Sequence, residues 1–308
     1  MRIILANPRG FCAGVKRAID TVTFVLQQVG APVYVYHEVV HNRFVVDSLK
    51  AKGAIFVDSL DEVPEPATLI FSAHGVSEAI KETALSKRWR LFDATCPLVH
   101  KVHQEVRRWY QLGYQIVMIG HKNHVEVIGT MGQVPDRVYL VEKPEDVLTL
   151  QLEDRPIGYV MQTTLSMDEA SSIVAALRKR YPDIAGPVRD DICYATQNRQ
   201  QIIKSMAADC DIILVVGSKN SSNSNRLREV AEGQGVRAYL IDDASQLNIN
   251  WFKESDCVGI SAGASAPEIL VEGVIVRLQD HFDISIDEAE GVTENLLFAI
   301  PKEIVRSA

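Results

Sequence analysis

Short apolar runs alternate with amphipathic stretches along most of this chain. The runs at 2–6, 33–36, 68–71, 115–119, 138–141, 157–161, 212–216, 238–241 and 257–261 predict strands. Several are continuously apolar rather than alternating, which reads as parallel strands covered on both faces. Apolar residues at helical spacing predict helices over 14–29, 43–52, 77–86, 97–112, 167–180, 197–207, 224–232 and 267–281. The succession is the βαβ rhythm of an α/β protein. Pro182, Gly186 and Pro187 mark a candidate linker, and 295–300 reads as one more strand in an acidic tail.

Three cysteines give this rhythm a longer period. They lie in Arg9-Gly10-Phe11-Cys12-Ala13-Gly14, Asp93-Ala94-Thr95-Cys96-Pro97 and Asp190-Asp191-Ile192-Cys193-Tyr194-Ala195-Thr196, at positions 84 and 97 residues apart. Each follows an extended or turn segment and precedes a helical pattern, a place that lowers a thiol's pKa. After each come a helix, a strand and a polar loop. The loops are His37-Glu38-Val39-Val40-His41-Asn42, Gly120-His121-Lys122-Asn123-His124-Val125-Glu126 and Gly217-Ser218-Lys219-Asn220-Ser221-Ser222-Asn223-Ser224-Asn225. His41, His124 and Ser221 stand 29, 28 and 28 residues after their cysteines. A second polar loop follows in each case: Ser72-Ala73-His74-Gly75, Gln162-Thr163-Thr164-Leu165-Ser166 and Ser261-Ala262-Gly263-Ala264-Ser265-Ala266-Pro267.

The chain therefore predicts three similar small α/β units with mostly parallel sheets, around a pseudo-threefold axis and a central cluster cavity. The units are 1–95 with Cys12, 96–190 with Cys96 and 191–281 with Cys193, followed by a tail over 282–308. In open α/β sheets the crevice at the carboxyl ends of the strands is where ligands bind.

Three thiolates delivered to one point are what an iron–sulfur cluster with one open iron requires. Three unrelated buried thiols are the plainer alternative. Cys210 and Cys257 lie beside buried strands and read as small core residues. Loops rich in His, Ser, Thr, Asn and Gly suit a phosphate or diphosphate cradle, the alternative being ordinary turns and caps. Glu126 reads either as a carboxyl raised in pKa that donates protons or as a carboxylate stabilised at a helix start. The spacings of His37 with His41 and of His121 with His124 could suit zinc, but zinc would want its cysteines close by. His100 and His103 read as surface residues and His281 as a helix end.

The net charge of −8 argues against nucleic acid as a partner. Five cysteines without secretory spacing argue against a disulfide framework. The opening apolar run is too short for a signal peptide, and no stretch approaches the ~20 apolar residues of a membrane span. A reducing, cytoplasmic setting without a membrane partner is the expectation.

The three cysteine stretches, with His37-Glu38-Val39-Val40-His41-Asn42, Phe71-Ser72-Ala73-His74-Gly75-Val76, Gln162-Thr163-Thr164-Leu165-Ser166 and the Gly217 to Asn225 loop, resemble the LytB/IspH family. The resemblance runs from residue 2 to about 280 with every motif position in place. It implies a reductase that removes the allylic hydroxyl of 4-hydroxy-3-methylbut-2-enyl diphosphate, the last step of the non-mevalonate isoprenoid pathway. It implies a 4Fe–4S cluster held by Cys12, Cys96 and Cys193, with the fourth iron open. It further implies that His41, His74, His124, Ser221, Ser222, Asn223 and Ser265 bind the diphosphate. Thr163, with Thr164 beside it, would meet the substrate's hydroxyl region, and Glu126 would serve the proton relay. The family expectation for the electron donor is a small ferredoxin or flavodoxin. Two rival classes are a cluster hydratase, which needs no reductant, and a non-catalytic cluster sensor, which needs no anion cradle. A zinc hydrolase is a more distant one, separable by metal analysis.

Overall fold

The computed structural model describes residues 1–301. Its first part runs β1 (Arg2–Leu5), α1 (Ala13–Val29), β2 (Val33–Tyr36), α2 (Arg43–Ala51), β3 (Ala54–Val57), β4 (Ala67–Phe71), α3 (Glu78–Ser86) and β5 (Trp89–Asp93). Then come α4 (Pro97–Gln111), β6 (Gln115–Ile119), α5 (Val125–Met131), β7 (Val138–Val141), β8 (Ile157–Met161) and α6 (Met167–Arg180). The last part is α7 (Tyr194–Ala207), β9 (Ile212–Val216), α8 (Ser222–Gly233), β10 (Arg237–Ile241), β11 (Cys257–Ala262), α9 (Glu268–Gln279) and β12 (Ser285–Glu288).

Three parallel sheets repeat one strand order. They are β10-β9-β11-β1-β12, β3-β2-β4-β5 and β7-β6-β8. In each, the first strand of a βαβαβ run is central, the second lies on one side and the third on the other. Each third strand then pairs with a segment that leads to a cysteine. β11 takes β1, β4 takes β5, and β8 takes a single parallel bridge between Gly158 and Ala185. Ala185 falls in the predicted linker at 182–187, so that stretch adds to a sheet instead of merely connecting two.

The chain forms two compact units. One comprises Met1–Val15, His41–Asp47 and Tyr194–Leu297, the other Lys16–Val40, Ser48–Cys193 and the described residues 298–301. The first is built on β9, whose five residues are all buried. Ile212, Leu214 and Val216 face one core with Val271, Val274 and Leu278 of α9. Ile213 and Val215 face the other with Ile203 and Met206 of α7 and Leu227 of α8. Two-sided burial with period-two side chains explains why the run is continuously apolar. Leu214→Ala is expected to lower the unfolding free energy by about 2–5 kcal/mol, read as a drop in the urea midpoint at unchanged slope.

In the second unit β6 does the same. Val117 and Ile119 pack with Ile173 and Leu177 of α6, while Ile116 and Met118 pack with Val102, Val106 and Trp109 of α4. Leu69 and Phe71 of β4 pack with Ala84 of α3.

Three strands lie outside the predicted set: β3, β5 and β12. β12 has all four residues exposed, so no apolar pattern announces it; the backbone of β1 recruits it. The strand expected at 295–300 is absent, and those residues are irregular. His103 is a second correction. It is 4% exposed, on the inner face of α4, and burial pushes its pKa down to about 3. Among the described residues no helix is long and apolar enough to cross a membrane.

Candidate active site

Six polar loops leave the carboxyl ends of β2, β4, β6, β8, β9 and β11, and all the predicted site residues other than the cysteines lie on them or in the helical turn they open. The cysteines are placed by a contact that occurs three times. The Cys12 amide donates to the Ala264 carbonyl at 3.2 Å, that of Cys96 to Ala73 at 2.9 Å and that of Cys193 to Thr163 at 3.0 Å. Each acceptor belongs to the loop after the third strand of a sheet. This recurrence is the physical form of the repeat read from the cysteine spacing.

In the first unit, hydrogen bonds tie Cys12, His41, Ser221 and Ser265 into one neighbourhood. The Ser265 hydroxyl, beside the carbonyl that holds Cys12, donates to the His41 carbonyl at 2.9 Å. The Arg43 amide donates to Ser218 Oγ at 3.1 Å, joining the His41 turn to the β9 loop. Ser221 caps α8, with Oγ accepting from the Ser224 amide at 3.3 Å and the Ser224 hydroxyl at 3.0 Å. Ser222 and Asn223 are then the first two helical residues, at the open N-terminal end of α8. Asn223 is 4% exposed, yet among the described residues its amide oxygen and nitrogen make no hydrogen bond. An unsatisfied amide at a helix N-terminus is a built receptor for a polar anionic ligand.

The second unit assembles the remainder. The His74 and His124 rings meet edge to face, 6.0 Å between centroids. Ser72 Oγ lies 3.3 Å from His74 Nδ1. His124 caps α5, its Nδ1 accepting from the Glu126 amide at 3.2 Å, which leaves Nε2 as the donor of a neutral ring. Glu126 is held at both oxygens by Thr163: the amide donates to Oε1 at 2.6 Å and the hydroxyl to Oε2 at 3.0 Å. Although it stands in the first turn of a helix, Glu126 is only 3% exposed. Burial is the main cause that pushes its pKa up to about 7, with the two Thr163 bonds opposing and the charge of Asp191 assisting. Thr164 accepts from Gln162 Nε2 at 2.9 Å.

Two residues given no role from the sequence support this group. Gln162, buried directly after β8, orients Thr164 and also accepts from the His121 amide at 3.0 Å. Asp191, buried two residues before Cys193, accepts from the Met161 amide at 3.0 Å and from Lys101 Nζ at 3.2 Å. Burial raises its pKa to about 6 against the pull of Lys101. A polar residue placed straight after an apolar run, or two residues before a cysteine, was the signal for each.

The donor set suits an iron–sulfur cluster in kind. Cys12, Cys96 and Cys193 are partly exposed, outside any disulfide, and each stands at the start of a helix. Cys12 Sγ accepts from the Val15 amide at 3.5 Å, and Cys96 is the cap of α4 with Pro97 at its first position. A helix start offers backbone amides to sulfur, as the Val15 bond to Cys12 shows. Cys210 contrasts: it is buried, and desolvation raises its thiol to about 12. Among the described residues no three His, Cys, Asp or Glu side chains form a ready-made metal site, so the three-thiolate reading rests on the character of each position.

Comparison with known proteins agrees with the motifs. The family model described as LytB protein matches residues 3–279. A 4-hydroxy-3-methylbut-2-enyl diphosphate reductase from Azoarcus sp. (strain BH72) is 59% identical, over 98% of this chain and 97% of its own. The protein of that name from Klebsiella pneumoniae subsp. pneumoniae is 56% identical, over 99% of this chain and 98% of its own. Among solved structures, the E-1-hydroxy-2-methyl-but-2-enyl-4-diphosphate reductase from Plasmodium falciparum superposes with a TM-score of 0.95 at 38% identity, over 99% of this chain and 96% of that one. These matches extend over almost the full length of both partners, and the chain belongs to the LytB protein family.

Proposed function

We propose that this chain reduces 4-hydroxy-3-methylbut-2-enyl diphosphate to isopentenyl and dimethylallyl diphosphate, closing the non-mevalonate isoprenoid route. The relatives' names support the substrate, and the observation that carries the chemistry is the buried Glu126 carboxyl gripped by Thr163. In the balanced reaction the allylic C–O bond breaks, two electrons enter from a donor protein, and two protons are consumed. One proton leaves in water with the hydroxyl. The other goes to either end of the allyl unit, which yields the two products.

A 4Fe–4S cluster held by Cys12, Cys96 and Cys193, with one iron open, would supply the electrons singly and a Lewis acid for the leaving oxygen. His41, His74, His124, Ser221, Ser222, Asn223 and Ser265 bind the diphosphate through neutral donors and the α8 amides. Fixing the diphosphate orients the hydroxyl end, which lowers the entropic part of the barrier. In its protonated form, held below about pH 7, Glu126 donates from Oε2 to the Thr163 oxygen, the reverse of the bond made by the carboxylate. The Thr163 hydroxyl so freed passes its proton to the departing oxygen, with Thr164 helping to seat that end. The electron donor is a small ferredoxin or flavodoxin in a reducing cytoplasm. The units 1–95, 96–190 and 191–281 each contribute one cysteine to this chemistry.

Asn223→Ala is expected to raise KM by about 10–100-fold, the loss of a hydrogen bond to a charged group, with a smaller effect on kcat. An unchanged KM would remove Asn223 from the cradle. The function itself is tested by anaerobic turnover of the allylic diphosphate with cluster-loaded protein, followed as oxidation of a reduced viologen. Substrate-dependent oxidation with five-carbon diphosphate products supports the reading. Iron- and sulfide-bearing protein that oxidises nothing would overturn it, and conversion without a reductant would favour a hydratase.

A further inference from the structure

We propose that Glu294, in the carboxy-terminal tail, is a positioning residue for Cys12, acting through Arg199. The proposal rests on the reading of Cys12 as a cluster ligand. Arg199 of α7 is fully buried, a rare state for a guanidinium that demands a partner. Its Nη2 donates to the Gly10 carbonyl at 2.7 Å, and its Nε to the same oxygen at 3.2 Å. Its Nη1 donates to the Ala195 carbonyl at 2.9 Å and to Glu294 Oε1 at 3.0 Å. Asn198 Nδ2 adds a bond to the same carboxylate at 2.9 Å. Glu294 therefore neutralises a buried cation whose other face grips the backbone two residues before Cys12.

The turn so gripped depends on its anchors. Gly10 has φ +66°, and a β-carbon there would stand 3.1 Å from the Ala266 carbonyl. Its amide donates to Ala262 at 3.1 Å, and the Ala13 amide donates to the Tyr194 hydroxyl at 3.2 Å. Arg199 is the one side chain on the Gly10 carbonyl among the described bonds, so it holds the Gly10–Phe11 peptide, one before the peptide that joins Cys12. The tail reaches Arg199 by running along β1. The Ala289 amide donates to Leu5, and Gly291 lies so close to the Asn7 carbonyl that only glycine fits. A charged residue only 14% exposed, in a tail whose neighbours are mostly exposed, is explained by this task.

The test uses the full-length, cluster-free chain and reads alkylation of each cysteine by iodoacetamide under anaerobic conditions. Glu294→Gln keeps the shape but leaves the Arg199 charge uncompensated. It is expected to speed alkylation of Cys12 by about tenfold through local opening, with Cys96 and Cys193 within about twofold of wild type. Glu294→Asp recovers part of the protection. Asp287→Asn removes an exposed ion pair of the same tail, to Arg2, and should leave Cys12 unchanged. Should Glu294→Gln yield no folded protein, Asn198→Ala carries the same test, with a rise of about threefold. An unchanged Cys12 rate, an equal rise at all three cysteines, or the same rise in Asp287→Asn would overturn the proposal. Iron content of Cys12→Ser examines the cluster reading separately, because alkylation of the cluster-free chain involves no iron.

Discussion

Replacing Glu126 by Gln is expected to cut turnover by about 10²–10⁴-fold, the usual worth of a positioned proton donor, while iron content and substrate affinity persist. The amide fits the same space. Its oxygen can accept from the Thr163 amide and its nitrogen can donate to the Thr163 hydroxyl, so the geometry survives and only the acidic proton is lost. The pH profile sharpens the test. With a pKa of about 7, the carboxyl is mostly protonated below neutrality and ionised above it. Turnover of the wild type should therefore fall with rising pH above about 7, and bound diphosphate, an anion, moves that limb further upward. The residual activity of Glu126→Gln should lack the limb. Stability responds with a definite sign. A carboxyl whose pKa rises from 4.5 to about 7 on folding favours the fold most below 4.5, and that contribution is lost as pH climbs through 7. The Gln variant escapes the loss, so above pH 8 its urea midpoint should exceed that of the wild type. Turnover equal to wild type across the profile would take Glu126 out of the relay.

The position of Glu126 also shows where sequence reasoning reaches its limit. Its place after a histidine in a polar loop marked it, but two readings stood open, a donor or a carboxylate resting on a helix dipole. Sequence spacing carries no information on desolvation. What the structure adds is the burial of the α5 turn, which favours the neutral acid, and Thr163, 37 residues away, whose two bonds favour the carboxylate. The three cysteines stood out more readily in the sequence, because an internal repeat restates the same local problem three times, and the structure holds each of their amides by the same kind of bond. The strands with two buried faces were plain for a related reason: continuous apolar runs such as that of β9 have one economical explanation. β12 and Arg199 were hidden because nothing local dictates them. The first forms only because β1 has a free edge. The second is a charged residue on a helix whose burial depends on a carboxylate 95 residues further along. The misplaced His103 belongs here too, since lysines and arginines around it on α4 suggested a solvated face that the fold turns inward.

Serine substitution of the cysteines should divide them sharply into two classes. Cys193→Ser is expected to lose the intact cluster and to lower turnover by at least about 10³-fold, as expected when a cofactor that carries the reaction is lost. The serine hydroxyl is far less acidic than a thiol and binds iron poorly, so nothing at that position replaces the lost ligand. Cys12→Ser and Cys96→Ser should behave alike, since the three amides are held by the same kind of bond and each thiol stands at a helix start. Cys210→Ser should keep its iron. That thiol is a packing group against Gly259 and Met206, with its proton held firmly by burial. Its cost should appear in stability, about 1–3 kcal/mol for a hydroxyl placed in an apolar niche. Iron and sulfide analysis together with denaturant midpoints separates the two outcomes. Equal iron loss in Cys193→Ser and Cys210→Ser would mean that general loosening of the fold, not ligation, releases the metal. Retention of the full cluster in any one of Cys12→Ser, Cys96→Ser or Cys193→Ser would reduce the ligand set below three, and the open iron that the reaction calls for would need another account.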